Sequence, residues 1–283
     1  MGTIKIKLKH SIISKWLYFT GLSWFGRQLL LKQGQLTLMF HGVSKLKSGN
    51  IPDDLQPHID IYQFENILKW VSNRFAIISP NDFAKPDVSG ILLTFDDGFY
   101  NQYTNVLPLL RKYKIPGLFF ITTQHCKTPS DWLSFIRDKI EKYQLDEKAI
   151  NDNNRLDYFD GISESKLIEM ANDPLVTIGC HSISHPLMSQ LSENEIEKEL
   201  KESKKYLERV TGNRIDHFAY PSGDYNRLVL KKVKELEFKA AFGIDKVQKI
   251  GHPKYEIPRI GIYDDNKYYL SAKLSGFYQR PIK

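Results

Sequence analysis

Short apolar runs rich in β-branched and aromatic residues recur along the chain, separated by stretches with helical spacing. The strand-type runs are 35–40 (QLTLMF), 75–78 (FAII), 91–95 (ILLTF), 117–122 (GLFFIT), 175–180 (LVTIGC), 216–220 (DHFAY), 239–244 (KAAFGI) and 257–262 (IPRIGI). Helix-period segments fall near 62–74, 101–114, 131–143, 163–172, 192–211, 225–236 and 266–275. Ser192 followed by Glu195 makes a capping box, and Gly212 is a stop signal for the same helix. The strand runs are continuously apolar rather than alternating, which predicts parallel strands covered by helices on both faces. Seven or eight such units predict a closed or nearly closed α/β barrel. The polar, Asn/Asp-rich segment 144–162 reads as an inserted loop over one end of it. The expected organisation is an N-terminal basic and aromatic helical segment, 1–34, followed by one domain over 35–283.

Composition narrows this only slightly. The chain has 283 residues, 41% hydrophobic and 26% charged, as in an ordinary globular protein. The net charge of +7 reads as a Lys-rich solvated surface rather than a nucleic-acid groove, because no Arg-rich run or aromatic-basic interleaving accompanies it. Cys126 and Cys180 make no metal or disulfide pattern and read as small core residues. At the N-terminus, Trp16, Tyr18, Phe19, Trp24 and Phe25 lie beside Lys5, Lys7, Lys9, Lys15 and Arg27. No signal-peptide cleavage pattern follows, and the charges make a membrane span unattractive. An interfacial helix and a helix packed on its own domain both stay open.

The candidate chemistry sits where the predicted strands end, which in a parallel barrel is the functional rim. His41 follows LTLMF, Asp96 and Asp97 follow ILLTF, His181 and His185 follow LVTIGC, and Asp245 follows AAFGI. Asp97, His181 and His185 form a His₂-carboxylate set, the donor type of a catalytic metal site with open positions. A cation there would offset the cost of two adjacent carboxylates. Asp96, beside the ion but not bound to it, could then take a proton from water; a strand-end pair with opposed side-chain directions would allow the two roles. The plainer alternatives are an Asp-Asp-Gly turn and a surface His pair.

With TFDDG at 94–98 and HSISH at 181–185, the sequence resembles the polysaccharide deacetylases, the NodB-homology group of carbohydrate esterases (family four). The resemblance runs from about 36 to 262. It implies a distorted (β/α)7-8 barrel and a metal-dependent N-deacetylase. Asp96 would be the general base, and Asp97, His181 and His185 would bind one divalent ion, zinc. Tyr220, Pro221 and Ser222 would form the substrate side, with the Ser222 N–H stabilising an oxyanion. The chain departs from the family pattern R-x-P-[FY]-G, having Ala219-Tyr220-Pro221-Ser222-Gly223. The usual Arg is missing, and Arg259 is expected to replace it; an Arg paired with a structural carboxylate is the alternative. The late Leu-x-His element is not visible; His252 is poorly placed, and His41 is the candidate proton donor or neighbour of the metal site.

The expected function is removal of an N-acetyl or other N-acyl group from an amino sugar. The expected setting is cytoplasmic, on a nucleotide- or lipid-linked sugar, with peripheral contact at the inner membrane face and no nucleic-acid partner. A catalytically inactive carbohydrate-binding relative and an amidase on a non-sugar C–N bond are the alternatives.

Overall fold

The protein's structure, a computed structural model, describes residues 12–26, 34–45, 58–83, 85, 87–144, 152–244 and 253–275. Asp245 and His252 lie outside them. The strands are β1 (Gln35–Phe40), β2 (Val43–Ser44), β3 (Ile59–Asp60), β4 (Gly90–Phe95), β5 (Gly117–Ile121), β6 (Val176–Cys180), β7 (His217–Ala219), β8 (Ala240–Phe242) and β9 (Ile260–Gly261). The helices begin with α1 (12–19) and α2 (22–26). They continue as α3 (Ile61–Ser72), α4 (Leu107–Tyr113), α5 (Thr123–Lys127), α6 (Ser134–Lys142), α7 (Asp152–Tyr158), α8 (Glu164–Ala171), α9 (Glu193–Thr211), α10 (Arg227–Glu235) and α11 (Lys267–Lys273).

Seven parallel strands form one sheet in the order β8-β7-β6-β5-β4-β1-β9, and β2 pairs with β3 separately. The last segment draws the edges together. β9 pairs with β1, while Ile257, three residues earlier, bridges Phe242 of β8. The result is a distorted α/β barrel, as the apolar runs predict. β4 is buried at every position, which explains its lack of polar alternation.

Two expectations need correction. Residues 75–78 do not form a strand; Ile77 makes a single bridge to Ile91. β1 occupies one edge of β4 throughout, and β5 takes the other from Thr94 onward, so only the first residues of β4 are left for Ile77. The described part of 144–162 is not a polar loop either. It contains α7 and the buried Tyr158 and Phe159, which join Trp132, Leu133, Ile136 and Ile140 in a small satellite core. The aromatic pair at its end outweighs the Asn/Asp content.

The rim is built on an aromatic floor. Phe40 and Phe95, partners in register at the ends of β1 and β4, stack with ring centres 5.5 Å apart, and Phe119 stacks on Phe95 at 4.7 Å. The next residues along these strands are His41 and Asp96. Cys126 and Cys180 are buried free thiols. α9 starts with the Ser192–Glu195 capping box and ends at Gly212 in the left-handed region. α1 and α2 lie on α11, where the Tyr18 ring meets Tyr268 edge-on at 5.0 Å. Among the described residues, no helix is long and apolar enough to cross a membrane.

Candidate metal centre

Asp96 continues β4 by one residue, its N–H donating to the Phe40 carbonyl. Asp97 then takes φ 75° and Gly98 φ 77°. Two successive left-handed residues swing the chain sharply, and this breaks the strand alternation. The two carboxylates therefore face one site rather than opposite sides as the sequence suggests: Asp97 Oδ1 lies 3.5 Å and Asp96 Oδ2 3.9 Å from His181 Nε2. Glycine suits position 98, because a Cβ there would crowd Ile121 at 3.3 Å as well as oppose the φ.

The His loop is a tight turn and not a helical one. Ser182 and His185 have φ 67° and 61°. Glu199 of α9 holds it: one carboxylate oxygen accepts the Ile183 and Ser184 N–H groups at 2.7 and 3.1 Å, and the other accepts the Ser184 hydroxyl. The Ser182 hydroxyl accepts the His185 N–H. His181 Nδ1 lies 2.8 Å from the Ala219 carbonyl. A carbonyl only accepts, so Nδ1 carries the hydrogen and, in the neutral ring, Nε2 presents a lone pair to the site.

Asp97, His181 and His185 place three donor atoms within 4.8 Å of one another. His185 Nε2 is 3.7 Å from Asp97 Oδ1. That oxygen is buried and has no hydrogen-bond partner among the described residues. Spacings of 3.5 and 3.7 Å are long for hydrogen bonds. They lie near the spacing of about 3.3–3.6 Å expected between donors about 2.0–2.2 Å from a shared tetrahedral ion. The residues therefore fit a divalent metal, with Asp97 Oδ1 as the atom that otherwise lacks a partner.

Arg259 reaches Asp96 from the segment that closes the barrel. Its two terminal nitrogens donate to Oδ1 and Oδ2 at 2.6 and 2.8 Å, and its Nε donates to the Gly243 carbonyl at 3.1 Å. Both side chains are almost wholly buried. The guanidinium also lies over the Phe120 ring, 5.3 Å from its centre. Burial works against the Asp96 charge, but Arg259, then His181 and His41, hold it below the usual carboxylate range. Burial likewise opposes charge on Asp97, and His181 leads the groups that lower it. Burial pushes His185 down to about 4, leaving the neutral imidazole that metals bind.

The remaining predicted residues take different positions. His41 sits beside Tyr263, ring centres 6.2 Å apart, with Nδ1 buried and, among the described residues, unbonded. Burial holds it below the ordinary imidazole value against the pull of Asp97 and Asp96. Tyr220 points inward: its ring stacks on Tyr225 at 4.3 Å and its hydroxyl donates to the Tyr255 carbonyl. Its phenol is thus committed inside the protein. Pro221 is buried, while Ser222 is exposed with φ 54°, and among the described residues its N–H donates to no backbone carbonyl.

Several contributors escape sequence reasoning. Gln102 Nε2 donates to the carbonyls of Asp96 and His41, tying two rim residues together at 2.5 and 3.1 Å. It lies in a π-helical turn, Gln102–Val106, that precedes α4. Glu199 looks like one more surface acid on a charged helix. His125 is buried under the Asp-Asp-Gly turn, its Nε2 at 3.0 Å from the Phe159 carbonyl. None of the three stands at a strand end, and none belongs to a recognisable spacing.

Fold and rim together define a parallel α/β barrel carrying a His₂-carboxylate cluster at the C-terminal strand ends. The chain belongs to the polysaccharide deacetylase family, whose model matches residues 84–241. It is 29% identical over 229 residues to the poly-beta-1,6-N-acetyl-D-glucosamine N-deacetylase of Staphylococcus aureus, covering 77% of this chain and 72% of that one. It is 23% identical over 209 residues to YxkH of Bacillus subtilis, covering 71% of this chain but only 61% of that protein. Among solved structures, the deacetylase PplD of Streptococcus pyogenes in complex with acetate superposes with a TM-score of 0.66 at 19% identity, over 86% of this chain and 98% of that one. IcaB of Ammonifex degensii gives 0.64 at 20% identity, over 86% and 97%. These two likenesses concern the fold.

Proposed function

We propose that the protein hydrolyses the N-acetyl amide of an amino sugar within a glycan, using one divalent ion, zinc, held by Asp97, His181 and His185. The observation that carries this is the buried, unpartnered Asp97 Oδ1 facing two imidazole nitrogens, with a second carboxylate clamped beside it. The ion supplies Lewis acidity, which polarises the acyl carbonyl and makes water nucleophilic near neutral pH.

The chain's own groups supply the rest. Amide hydrolysis removes a proton from water, adds the oxygen to the carbonyl carbon, breaks the C–N bond and protonates the departing amine. Asp96 takes the water's proton. Arg259 keeps it ionised and fixes both its oxygens, each of which retains a lone pair for the water. The Ser222 N–H, directed by the left-handed turn after Pro221, steadies the oxygen that becomes negative. The proton that Asp96 took passes on to the leaving amine by way of His41, whose neutral imidazole accepts on one nitrogen and donates from the other.

The name of the S. aureus relative suggests the first substrate to try, a β-1,6-linked N-acetylglucosamine polymer. Acetate release from such oligomers, with zinc added, tests the proposal. Wild type should release acetate, and Asp96→Asn should retain metal and lose turnover. A metal-replete wild type that releases nothing from any N-acyl sugar would instead favour an inactive carbohydrate-binding relative. The absent motif Arg motivates that second reading, and the Arg259 guanidinium on Asp96 weakens it.

A further inference from the structure

Helices α1 and α2 are inside out. Their inner side, laid on α11, offers Ser14, Leu17 and Ser23, all buried, with the Ser23 and Ser271 hydroxyls 2.8 Å apart. Their outer side carries Ile12, Ile13, Trp16, Phe19, Trp24 and Phe25, with Phe19 73% exposed and both tryptophans 58%. A surface helix ordinarily turns its apolar stripe inward. A contiguous apolar patch facing outward marks a binding surface.

Charge identifies the occupant. The first 52 residues contain eight Lys and Arg and no Asp or Glu. Of 40 basic and 33 acidic residues in the chain, 32 and 33 remain beyond that point, so the net charge of +7 arises wholly at the N-terminal end. Lys15 stands within the patch, and Lys267 lies 5.9 Å over the Tyr18 ring. A second copy would bring the same cations against each other.

We propose that α1 and α2 form a docking face for an anionic phospholipid surface, lying in its plane with Trp16, Phe19, Trp24 and Phe25 among the headgroups. Aromatic anchors with flanking lysines are the chemistry of such in-plane helices. The face borders the barrel mouth: Tyr268, on which Tyr18 and Phe19 pack, follows Tyr263 by one short turn, and Tyr263 stands beside His41.

The test is co-sedimentation of the full chain with vesicles of phosphatidylcholine, alone or with phosphatidylglycerol. Binding should require phosphatidylglycerol, weaken with salt, and shift tryptophan emission to the blue. The variant Trp16→Ser, Phe19→Ser, Trp24→Ser, Phe25→Ser should lose vesicle binding by about tenfold or more. Its melting temperature and its acetate release from a soluble oligomer should stay as in wild type, which separates docking from the catalytic proposal. Equal binding by variant and wild type, or no binding to the anionic vesicles, overturns the proposal. So does a concentration-dependent dimer that the variant abolishes, since the occupant would then be a second copy.

Discussion

Arg259 closes a buried two-point ion pair on Asp96 from the opposite end of the sequence, with nitrogen–oxygen distances of 2.6 and 2.8 Å. The partner that the family motif places at the end of β7, where this chain has Ala219, is thus supplied by the segment that draws β8 and β1 together. Barrel closure and the state of Asp96 are therefore one structural event.

Arg259→Lys should keep the charge but lose the fork, and acetate release should fall by about a hundredfold with metal content unchanged. Arg259→Ala should in addition cost about 3–5 kcal/mol of stability, because it leaves a carboxylate buried and unpaired. Steady-state kinetics beside metal analysis and denaturant melts measure both. Full turnover in either variant would remove Arg259 from the mechanism.

Zinc should stabilise the wild type and not Asp97→Asn. At a free concentration about a thousand times the dissociation constant, linkage gives about 4 kcal/mol, a rise on the order of 10 °C for a chain of this size. Thermal melts with and without zinc read this. An equal rise in Asp97→Asn would place the ion elsewhere.

Glu199 holds the His loop through three hydrogen bonds and touches no donor atom of the cluster. Glu199→Ala should weaken zinc affinity by about 10–100-fold, the usual effect of an outer support, while a zinc-saturated sample recovers most of its turnover. Competition with a chelator of known affinity measures the change.

Two buried histidines away from the donor cluster set an acid limit. Burial pushes His58 down to about 3 and His217 down to about 4. The unfolded chain protonates both near pH 6.5, and the folded chain resists. Stability should therefore fall as pH drops from about 6.5 toward 4, each histidine adding about 1.4 kcal/mol per pH unit. His217→Gln should lower that slope by one proton between pH 6 and 5, read from denaturant melts of the zinc-loaded protein.

Much of this is legible in the amino-acid sequence. Continuous apolar runs such as ILLTF announce strands buried on both faces, and the residue after each run falls on the rim because parallel strands all end there. That rule alone gathers His41, Asp96, Asp97, His181 and His185. Arg259 emerged only because a recognisable motif lacked its Arg. What stayed hidden depends on backbone conformation and long-range packing. The left-handed Asp97 turns both carboxylates the same way, Gln102 acts from a π-turn, and Glu199 serves from a helix whose pattern is that of any solvated face. Which way α1 and α2 face stays open in the sequence, since apolar periodicity gives no sign of which side is covered.

The most direct measurement is acetate release from β-1,6-linked N-acetylglucosamine oligomers by one preparation as isolated, after chelation, and after zinc is restored. The account predicts release that disappears with the metal and returns with it, in step with occupancy of one ion per chain. Release that persists in fully chelated protein would contradict it.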